Sequence, residues 1–588
     1  MSETNQEVKN LQVPVSVSSW LSDDGYDSET KKHIRDLIAQ NKLEELVDCF
    51  YQNLEFGTGG LRGVMGVGTN RMNKYTVGMA TQGLANYLKQ SFANLPQIKV
   101  AIAHDCRNNS EAFSKIVADI FAANGFKAYL FDALRPTPEL SFAIRLLGCQ
   151  SGVMVTASHN PKEYNGYKAY WDDGAQVTAP HDKNIIAEVN KITSLSQVKF
   201  TGGSGSIEII GKDVDEAYLS GIEGLLRLSP EAIERHKDIK IVYTPLHGCG
   251  VKMAPAMLRR MGFTNIIHVP EQDVNDGNFP TVYSPNPEEP AALKMAIDKA
   301  LATDAELVLA TDPDADRIAL AVRDKKGDFF ILNGNQTNSI FTYYLLLRWK
   351  ELGKLQGKEY TVKTIVTTNL VADIAEAFGV EWYNCYTGFK YIAELVRKYE
   401  GKKTYIGGGE ESFGFNVGEL VRDKDSIVSC GLAAEVTAWA KEQGMSMFDL
   451  LLDIYKKFGY YKERQISITK KGKEGLEAIQ QMMRDFRANP PKSLAGSDVK
   501  EIYDYQTLEV KSVKSGAAKA IDQPSTSNVL QYVTEDGSIV SVRPSGTEPK
   551  IKFYFGVRES LGSAAEFDSV TQALDKKIDA IAAELKLC

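Results

Sequence analysis

The sequence predicts an α/β protein with three related sheet domains and a C-terminal α+β domain, arranged round a central cleft. Two observations predict this class. The order strand, polar loop, helix, strand recurs three times, which is typical of mostly parallel sheets covered by helices. With 588 residues, the chain also exceeds what one hydrophobic core accommodates. We expect four domains, over the segments 1–210, 211–328, 329–455 and 456–588.

The first repeat begins with a strand over 98–103 and a polar loop that contains Asp105 and Arg107. Ser110 then caps a helix, and a second strand follows at 126–131. The same order recurs at 239–242, 253–261 and 266–269, and again at 364–367, 372–378 and 382–385. A polar turn follows each repeat, and ligands of open α/β sheets gather at one end of the strands, so three such turns can share one cleft. Three unrelated α/β domains in a row are the alternative.

The two ends of the chain follow a different pattern. Near the N-terminus, helices over 29–39 and 43–54 are predicted to pack on the first domain. The C-terminal part predicts a helix that starts at 469 and runs to 486, strands at 540–543 and 550–555, and a terminal helix over 569–585. Segments 202–205 and 511–528 are predicted to be surface loops.

The composition argues against several classes of protein. Hydrophobic residues make up 43% and charged residues 24% of the chain, as in ordinary globular proteins. A formal net charge of −8 argues against a nucleic-acid partner, because phosphate backbones require a basic surface. Seven scattered cysteines without metal-ligand spacing favour reduced thiols in a cytoplasmic protein. There is no signal-like segment, and no apolar run approaches the length of a membrane span, so we expect no membrane partner.

Ser158 lies in a polar turn after an apolar run at 152–156. An Asn-Pro pair follows His159, and because the residue before proline avoids the α region, the turn does not continue directly into a helix. The serine hydroxyl is then open to in-line attack, with His159 and Lys168 as donors in the same loop. A serine that receives and donates phosphate is one interpretation, and a helix-capping serine is the other. A Ser-His-Asp hydrolase fits poorly, because no G-x-S-x-G sequence surrounds Ser158.

Three aspartates follow a second apolar run, at 307–310. Asp312, Asp314 and Asp316 do not share one face of a regular helix, but in a loop they can surround one hard cation. All-oxygen donors favour Mg²⁺ or Ca²⁺ over zinc. A calcium EF-hand is excluded, because the sixth position is Arg317 where glycine is needed. A solvated acidic loop is the alternative.

Two further polar turns contain groups that recognise sugars and anions. The segment 407–414 combines glycines with Glu410 and Ser412, and carboxylates accept hydrogen bonds from vicinal hydroxyls. The segment 543–547 combines a guanidinium, two hydroxyls and flexible backbone N–H groups, with Lys552 nearby. Taken alone, the segment 407–414 is also consistent with an ordinary turn, and the segment 543–547 is also consistent with a hairpin loop.

The four motifs, in this order and at this spacing, resemble those of the α-D-phosphohexomutase superfamily, and the resemblance runs from about Gly57 to Phe555. The segments 56–63 and 247–250 are similar to the longer phosphoglucomutase/phosphopentomutase branch. The resemblance implies four domains round one cleft and a small phosphosugar as substrate. It does not distinguish a monomer from a dimer.

The resemblance also implies a mechanism. Ser158 would be a phosphoserine, completing the coordination of one Mg²⁺ per chain held by Asp312, Asp314 and Asp316. It would give its phosphate to a sugar monophosphate, and the resulting bisphosphate would turn round and return its other phosphate to Ser158. Glucose 1,6-bisphosphate would be the activator.

Further residues acquire roles through the same resemblance. Arg62 would offset charge on the transferred group. Lys424 lies in the segment 422–425, which resembles the segment that supplies a catalytic lysine in the glucose-type enzymes of this superfamily. Lys168, crowded by other cations, would have a lowered pKa and act as the base, with His159 as the competing candidate. The implied substrate-binding residues are Arg317, Thr387, Gly388, Lys390, Glu410, Ser412, Arg543, Ser545, Gly546, Thr547 and Lys552.

One departure from the family pattern concerns the sugar. Enzymes of this superfamily that accept both mannose and glucose phosphates often have a histidine where this chain has Gly414, so we expect interconversion of glucose 1-phosphate and glucose 6-phosphate. Phosphopentomutase and phosphomannomutase activities are alternatives. A metal-dependent phosphomonoesterase that uses Asp314 and Asp316 as nucleophile and acid, or a non-catalytic sugar-phosphate sensor, would be alternatives from other classes.

Overall fold

The computed structural model describes residues 14–57, 60–470, 472–545 and 550–587, which form two compact units. The first unit comprises the chain as far as Ala321 together with 393–400 and 414–438. The second comprises 322–392, 401–413 and the chain from Trp439 onward. In the parts of the chain that the structure describes, no helix is long and apolar enough to cross a membrane.

Helices α1 (Val15–Ser22), α2 (Ser28–Ala39) and α3 (Leu43–Phe50) precede the first sheet. They pack on α4 (Lys74–Ser91) through an aromatic cluster, in which the rings of Trp20 and Tyr26 stack with centroids 4.2 Å apart and both lie edge-on to Tyr75. The predicted N-terminal helices are confirmed, although α3 ends four residues earlier than the predicted helix.

The first sheet has six strands in the order β1-β5-β4-β2-β3-β6. Strands β2, β3, β4 and β6 run parallel, while β5 and β1 are antiparallel additions. The bounds are β1 Gly60–Val64, β2 Lys99–His104, α5 Ser110–Ala123, β3 Lys127–Phe131, α6 Thr137–Leu146, β4 Ser151–Val155, β5 Tyr164–Trp171, α7 His181–Asn190 and β6 Ser206–Ile210. The loop with Asp105 and the turn with Ser158 therefore lie at the same edge of this sheet.

The prediction that Ser110 caps α5 was wrong. The N-cap is Asn109, whose φ of 67° is left-handed and whose side chain caps nothing. Ser110 is the first helical residue, and its hydroxyl donates instead to Asp105 Oδ1 at 2.6 Å. The Ser110 hydroxyl oxygen also accepts from Asn165 Nδ2 at 3.0 Å, so this hydroxyl serves neighbouring side chains.

The second sheet contains the parallel strands β7, β8 and β9, in the order β9-β7-β8. Its elements are α8 Lys212–Leu225, α9 Pro230–Arg235, β7 Ile241–Thr244, α10 Gly250–Met261, β8 Ile266–His268, α11 Pro290–Thr303, β9 Leu307–Thr311 and β10 Ile318–Arg323. The fully buried β9 ends directly before Asp312, so the acidic loop lies at the carboxyl edge of a parallel sheet.

The third sheet is centred on β12, which pairs in parallel with β13 and β14. The elements here are β11 Phe329–Leu332, α12 Gly334–Glu351, β12 Glu359–Thr364, α13 Leu370–Ala377, β13 Glu381–Cys385, α14 Phe389–Tyr399, β14 Thr404–Glu410, β15 Gly414–Val417, α15 Ser426–Glu442 and α16 Met447–Phe458. The predicted strand at 364–367 was wrong, because β12 ends at Thr364. The residues after it form a turn, in which the hydroxyls of Thr364 and Thr367 are 2.9 Å apart.

The C-terminal sheet has the order β16-β23-β22-β21-β18-β19-β20 and is antiparallel between every recorded pair of neighbours. Its elements are β16 Tyr460–Thr469, α17 Gly472–Ala488, β17 Ser493–Leu494, β18 Ser497–Asp504, β19 Glu509–Ser512, β20 Ala518–Ala520, β21 Leu530–Thr534, β22 Ile539–Pro544, β23 Lys550–Glu559 and α18 Phe567–Glu584. The α+β prediction is confirmed. Two details were wrong: Thr469 ends a strand instead of starting a helix, and the predicted loop 511–528 contains part of β19 and all of β20.

Candidate active site

Ser158 lies in the turn after β4, in a left-handed conformation with φ of 51°. Its N–H donates to Thr156 Oγ1 at 2.8 Å. Its hydroxyl donates to Asp312 Oδ2 at 2.8 Å and lies 3.1 Å from His159 Nδ1. The serine that the sequence singled out therefore lies directly against the acidic loop, although the two are 154 residues apart in the chain.

Asp312, Asp314 and Asp316 are all buried, and each offers an oxygen within 4.8 Å of the others. Among the described residues, Asp314 Oδ1 and Asp316 Oδ1 have no hydrogen-bond partner. Burial and the two neighbouring carboxylates raise the pKa of Asp312 well above its usual value. Three buried oxygen donors with unused lone pairs fit a hard divalent cation, so this triad can hold a metal ion.

Two lysines reach the triad from different elements of the first unit. Lys168 on β5 places Nζ 2.6 Å from Asp314 Oδ2 and 3.2 Å from Asp316 Oδ2. Lys424 places Nζ 3.1 Å from Asp316 Oδ2. Burial lowers the pKa of Lys168, but Asp314 and Asp316 more than offset this effect, so its pKa is raised. The predicted lowering of this pKa was therefore wrong, because the lysine lies between carboxylates and not mainly among cations.

His159 and two arginines lie in or beside the turn that contains Ser158, which we call the serine turn (residues 156–164). Burial, followed by the charges of Arg317 and Arg62, lowers the pKa of His159 well below its usual value. Arg62 on β1 donates from Nη1 to Asn160 Oδ1 at 3.1 Å. Arg317 donates its backbone N–H to Asp312 Oδ1 at 3.0 Å, and its guanidinium pairs with Glu288.

The predicted sugar-binding residues belong to the second unit. Glu410 Oε1 accepts the N–H of Gly388 at 2.7 Å, which brings the segments 387–388 and 410–412 together. Thr387 and Ser412 are half-buried beside these two residues. Lys390 is also half-buried, with its ammonium 5.3 Å from the centroid of the Tyr391 ring.

The adjacent carboxylate, Glu411, is held by two residues for which the sequence analysis proposed no role. Thr364 and Thr367 each donate a hydroxyl hydrogen bond to Glu411 Oε2 at 3.1 Å. Thr137 was also missed, and in the first unit its buried hydroxyl donates to Asp314 Oδ2 at 2.8 Å. The sequence signal for Thr364 and Thr367 is weak, because threonine in or next to an apolar run is usually a strand residue.

The predicted anion-binding residues are partly described. Arg543 and Lys552 are directly opposite each other on β22 and β23. The Ser545 N–H donates to Lys550 O at 2.7 Å, across the hairpin that these strands form. Gly546 and Thr547 lie outside the described residues. Tyr554 on β23 hydrogen-bonds to the Arg543 side chain, and its pKa is raised first by burial and then by the nearby carboxylate of Glu411.

Four domain models of one family match the chain. They are described as the alpha/beta/alpha domains I, II and III and the C-terminal domain of phosphoglucomutase/phosphomannomutase, and they match residues 53–196, 216–327, 333–458 and 494–571. The chain belongs to the phosphoglucomutase/phosphomannomutase family. It is therefore an isomerase that acts as an intramolecular phosphotransferase, with three α/β domains and a C-terminal domain.

Curated members of the family are similar over most of their length. A Staphylococcus aureus (strain MRSA252) protein named phosphoglucomutase is 35% identical over 555 residues, covering 93% of this chain and 97% of that protein. A phosphoglucomutase from Staphylococcus haemolyticus (strain JCSC1435) is 35% identical over 527 residues, covering 89% and 93%.

Solved structures of the phosphoglucomutase/phosphomannomutase family share the fold at low sequence identity. A putative phosphomannomutase from Thermus thermophilus aligns with a TM-score of 0.67 and 22% identity over 91% of this chain and 98% of that one. The open form of the Paramecium phosphoglucomutase pp63/parafusin aligns with a TM-score of 0.67 and 17% identity over 91% and 94%.

Proposed function

We propose that this enzyme interconverts glucose 1-phosphate and glucose 6-phosphate through a phosphorylated Ser158 and a bisphosphorylated sugar. The observation that carries the proposal is the 2.8 Å contact between Ser158 Oγ and Asp312 Oδ2, which puts a nucleophilic hydroxyl at the edge of a buried carboxylate triad. Phosphoryl transfer depends mainly on positioning and charge neutralisation; this contact supports the positioning, and a cation held by the triad would supply the neutralising charge. The curated relatives named phosphoglucomutase support glucose as the sugar.

Asp312, Asp314 and Asp316 would hold one Mg²⁺ per chain, with Ser158 or its phosphate as a further ligand. The donor set is all oxygen, and two of its oxygens have no hydrogen-bond partner among the described residues, which fits a hard cation. When bound, the ion supplies positive charge to the transferred phosphoryl group.

The side chains of the first unit would act on the reacting phosphate. Arg62 and Arg317 would add positive charge beside the serine turn. His159 would carry the serine proton as the phosphate leaves or arrives, and the 3.1 Å distance between its Nδ1 and Ser158 Oγ supports this role. Lys168 and Lys424 would orient the carboxylates of Asp314 and Asp316 and would be the competing acid–base candidates.

The predicted sugar-binding and anion-binding residues would hold the parts of the substrate that do not react. Glu410 and Ser412 would accept and donate hydrogen bonds with the sugar hydroxyls in either orientation of the intermediate. The other proposed contacts are Thr387, Gly388 and Lys390 to the sugar, and Arg543, Ser545, Gly546, Thr547 and Lys552 to the phosphate that does not react. Glucose 1,6-bisphosphate would be the activator, because it can load the phosphate onto Ser158.

The mutase cycle is tested by intact mass with and without glucose 1,6-bisphosphate. We expect an increment of about 80 Da on the wild type and none on Ser158→Ala, because the phosphate is attached covalently to this serine. Ser204→Ala, in an exposed loop, is the matched control and should behave as the wild type. Wild-type protein that carries no such increment either with or without the bisphosphate, or Ser158→Ala that carries as much as the wild type, would contradict the phosphoserine mechanism.

The sugar and the metal are tested separately. Coupled assays with the 1-phosphates of glucose, mannose, ribose and deoxyribose should give the highest kcat/KM for glucose, and a higher value for a pentose or for mannose would replace the proposed substrate. Titration of metal-free protein with Mg²⁺ in a calorimeter should show one site. That site should be lost in Asp314→Asn and kept in Asp238→Asn, which changes an exposed carboxylate.

A further inference from the structure

The guanidinium of Arg107, in the loop after β2, donates hydrogen bonds to backbone carbonyls of the serine turn. Nη2 donates to Ser158 O at 2.5 Å and to Asn160 O. Nη1 donates to Pro161 O at 2.8 Å and to Tyr164 O at 3.1 Å. The side chain is fully buried, so these four hydrogen bonds form without competition from water.

A second connection runs from the same loop to the other side of Ser158. Asp105 Oδ2 accepts the hydroxyl of Thr156 at 2.7 Å, and Thr156 Oγ1 accepts the N–H of Ser158 at 2.8 Å. Asp105 Oδ1 accepts the backbone N–H of Arg107 at 2.9 Å, and the carboxylate lies 3.3 Å from Arg107 Nε. The N–H and the C=O of Ser158 are thus both held by the segment 105–107.

This support matters because Ser158 is strained. A non-glycine residue at φ of 51° lies in a sparsely populated region and persists only where its surroundings over-determine the conformation. The left-handed conformation gives the hydroxyl its contacts with Asp312 and His159. Without the four donated hydrogen bonds, the turn has less to hold it in this conformation.

We infer that Arg107 is a positioning residue for phosphoryl transfer at Ser158, which rests on the function proposed above. A planar guanidinium with paired N–H donors can serve four carbonyls that converge from one turn, whereas a lysine ammonium has three donors at a single point. The charge of Arg107 is already paired with Asp105, so its role is geometric. Arg107 touches no reacting atom and acts through the backbone of the serine turn.

The step that Arg107 supports is the loading of Ser158 from glucose 1,6-bisphosphate. A new P–O bond forms to Ser158 Oγ, the bond from phosphorus to the sugar oxygen breaks, and the serine proton ends on that oxygen, which leaves a glucose monophosphate. The reverse transfer passes through the same geometry. Misplacement of the hydroxyl therefore slows both directions, while the predicted sugar and phosphate contacts in the second unit are untouched.

The test compares Arg107→Lys with the wild type and with Arg71→Lys. Arg71 is a matched control, since it also donates to backbone carbonyls, those of Asp48 at 3.1 Å and Asn70 at 3.0 Å, but lies in the N-terminal region of the first unit. We expect Arg107→Lys to lower kcat and the rate of Ser158 loading, followed by intact mass, by about 100-fold with KM changed less than about twofold. Arg71→Lys should change neither rate.

Thr156→Val is a second variant that tests the same inference if Arg107→Lys folds poorly. It removes the acceptor for the Ser158 N–H with little change in volume, and it should lower kcat and loading in the same way. Normal loading and kcat per folded molecule in both variants would overturn the inference, and so would an equal loss in Arg71→Lys. A wild-type protein that is never phosphorylated would instead contradict the proposed function, so the two failures are distinguishable.

Discussion

The side chain of Lys424 occupies the space that a side chain at position 414 would need. A methyl group on Gly414 would lie 2.1 Å from Lys424 Cδ and 2.7 Å from its Cγ. From this position Lys424 reaches Asp316 Oδ2 at 3.1 Å and Asp423 Oδ1 at 3.3 Å. The absence of a side chain at 414 and the presence of a lysine at 424 are therefore two parts of one arrangement beside the acidic loop.

We predict that Gly414→Ala displaces Lys424 from Asp316 and lowers kcat by about 10- to 100-fold, because an overpacked site relieves its clash by moving the more flexible partner. Steady-state kinetics on glucose 1-phosphate measure the effect. Gly224→Ala, where nothing lies within 4 Å of the added methyl group, is the control and should keep full activity. Unchanged kcat in Gly414→Ala would show that the position of Lys424 has no bearing on turnover.

The two threonines that hold Glu411 give a second prediction. In Thr364→Val/Thr367→Val, Glu411 Oε2 loses both of its 3.1 Å hydrogen bonds, which leaves the segment 410–412, with Glu410 and Ser412, less firmly held. We expect KM for glucose 1-phosphate to rise about fivefold, which corresponds to about 1 kcal/mol, with a smaller change in kcat. Thr437→Val is the control, because this buried hydroxyl donates to Ala433 O within its own helix. A KM equal to that of the wild type would show that the hydrogen bonds to Glu411 do not support the sugar contacts proposed for Glu410 and Ser412.

The sequence draws attention to Ser158 and to the aspartate triad because each lies in a short polar turn after an apolar strand, and the structure brings these two turns together. That signal is local. The supports of these turns are not local: Arg107 is 51 residues from Ser158, and Thr364 is 47 residues from Glu411. No spacing rule connects such positions, so only the folded chain shows that they meet.

The error in the predicted strand at 364–367 has a different cause. In β12, Lys363 is buried in the middle of a threonine-rich sequence, and its Nζ donates to Thr364 O at 3.2 Å and Thr367 O at 3.0 Å. Burial lowers the pKa of this lysine to about 8. A lysine inside a strand argues against burial when only the sequence is known. The apolar pair that follows it lies in the turn, which is why the predicted strand began where the real one ends.

Gln531 on β21 gives a third prediction, because its buried amide joins three partners within the second unit. Nε2 donates to Ile365 O at 2.6 Å and to Ser541 Oγ at 2.8 Å, while Oε1 accepts from Tyr505 OH at 2.8 Å. Gln531→Leu leaves the carbonyl and the two hydroxyls without this hydrogen-bond partner. We therefore expect it to lower the free energy of unfolding by about 2–4 kcal/mol. Urea unfolding measures this, and Gln481→Leu, on an exposed helix face, should have little effect. Equal midpoints for the two variants would contradict the prediction.

Glu463 on β16 gives a prediction about pH. Burial raises its pKa to about 7 from a usual value of 4.5, and the opposing effects of Thr368 and Lys363 do not cancel this. Below pH 4.5 the carboxyl is protonated in both the folded and the unfolded chain, so it contributes no difference. Between pH 4.5 and 7 the unfolded chain releases the proton while the folded chain keeps it, so folding becomes less favourable as the pH rises.

Above pH 7 this penalty is complete and amounts to about 3 kcal/mol, at about 1.4 kcal/mol for each pKa unit. Glu463→Gln has no titrating group and should escape it, so the stability of the variant relative to the wild type should grow between pH 4.5 and 7.5. Urea unfolding at several pH values, followed by tryptophan fluorescence, measures this difference. The control Glu477→Gln changes an exposed carboxylate and should track the wild type at every pH. A constant offset between Glu463→Gln and the wild type would mean that the pKa of Glu463 is the same in the folded and the unfolded chain, and that burial does not raise it.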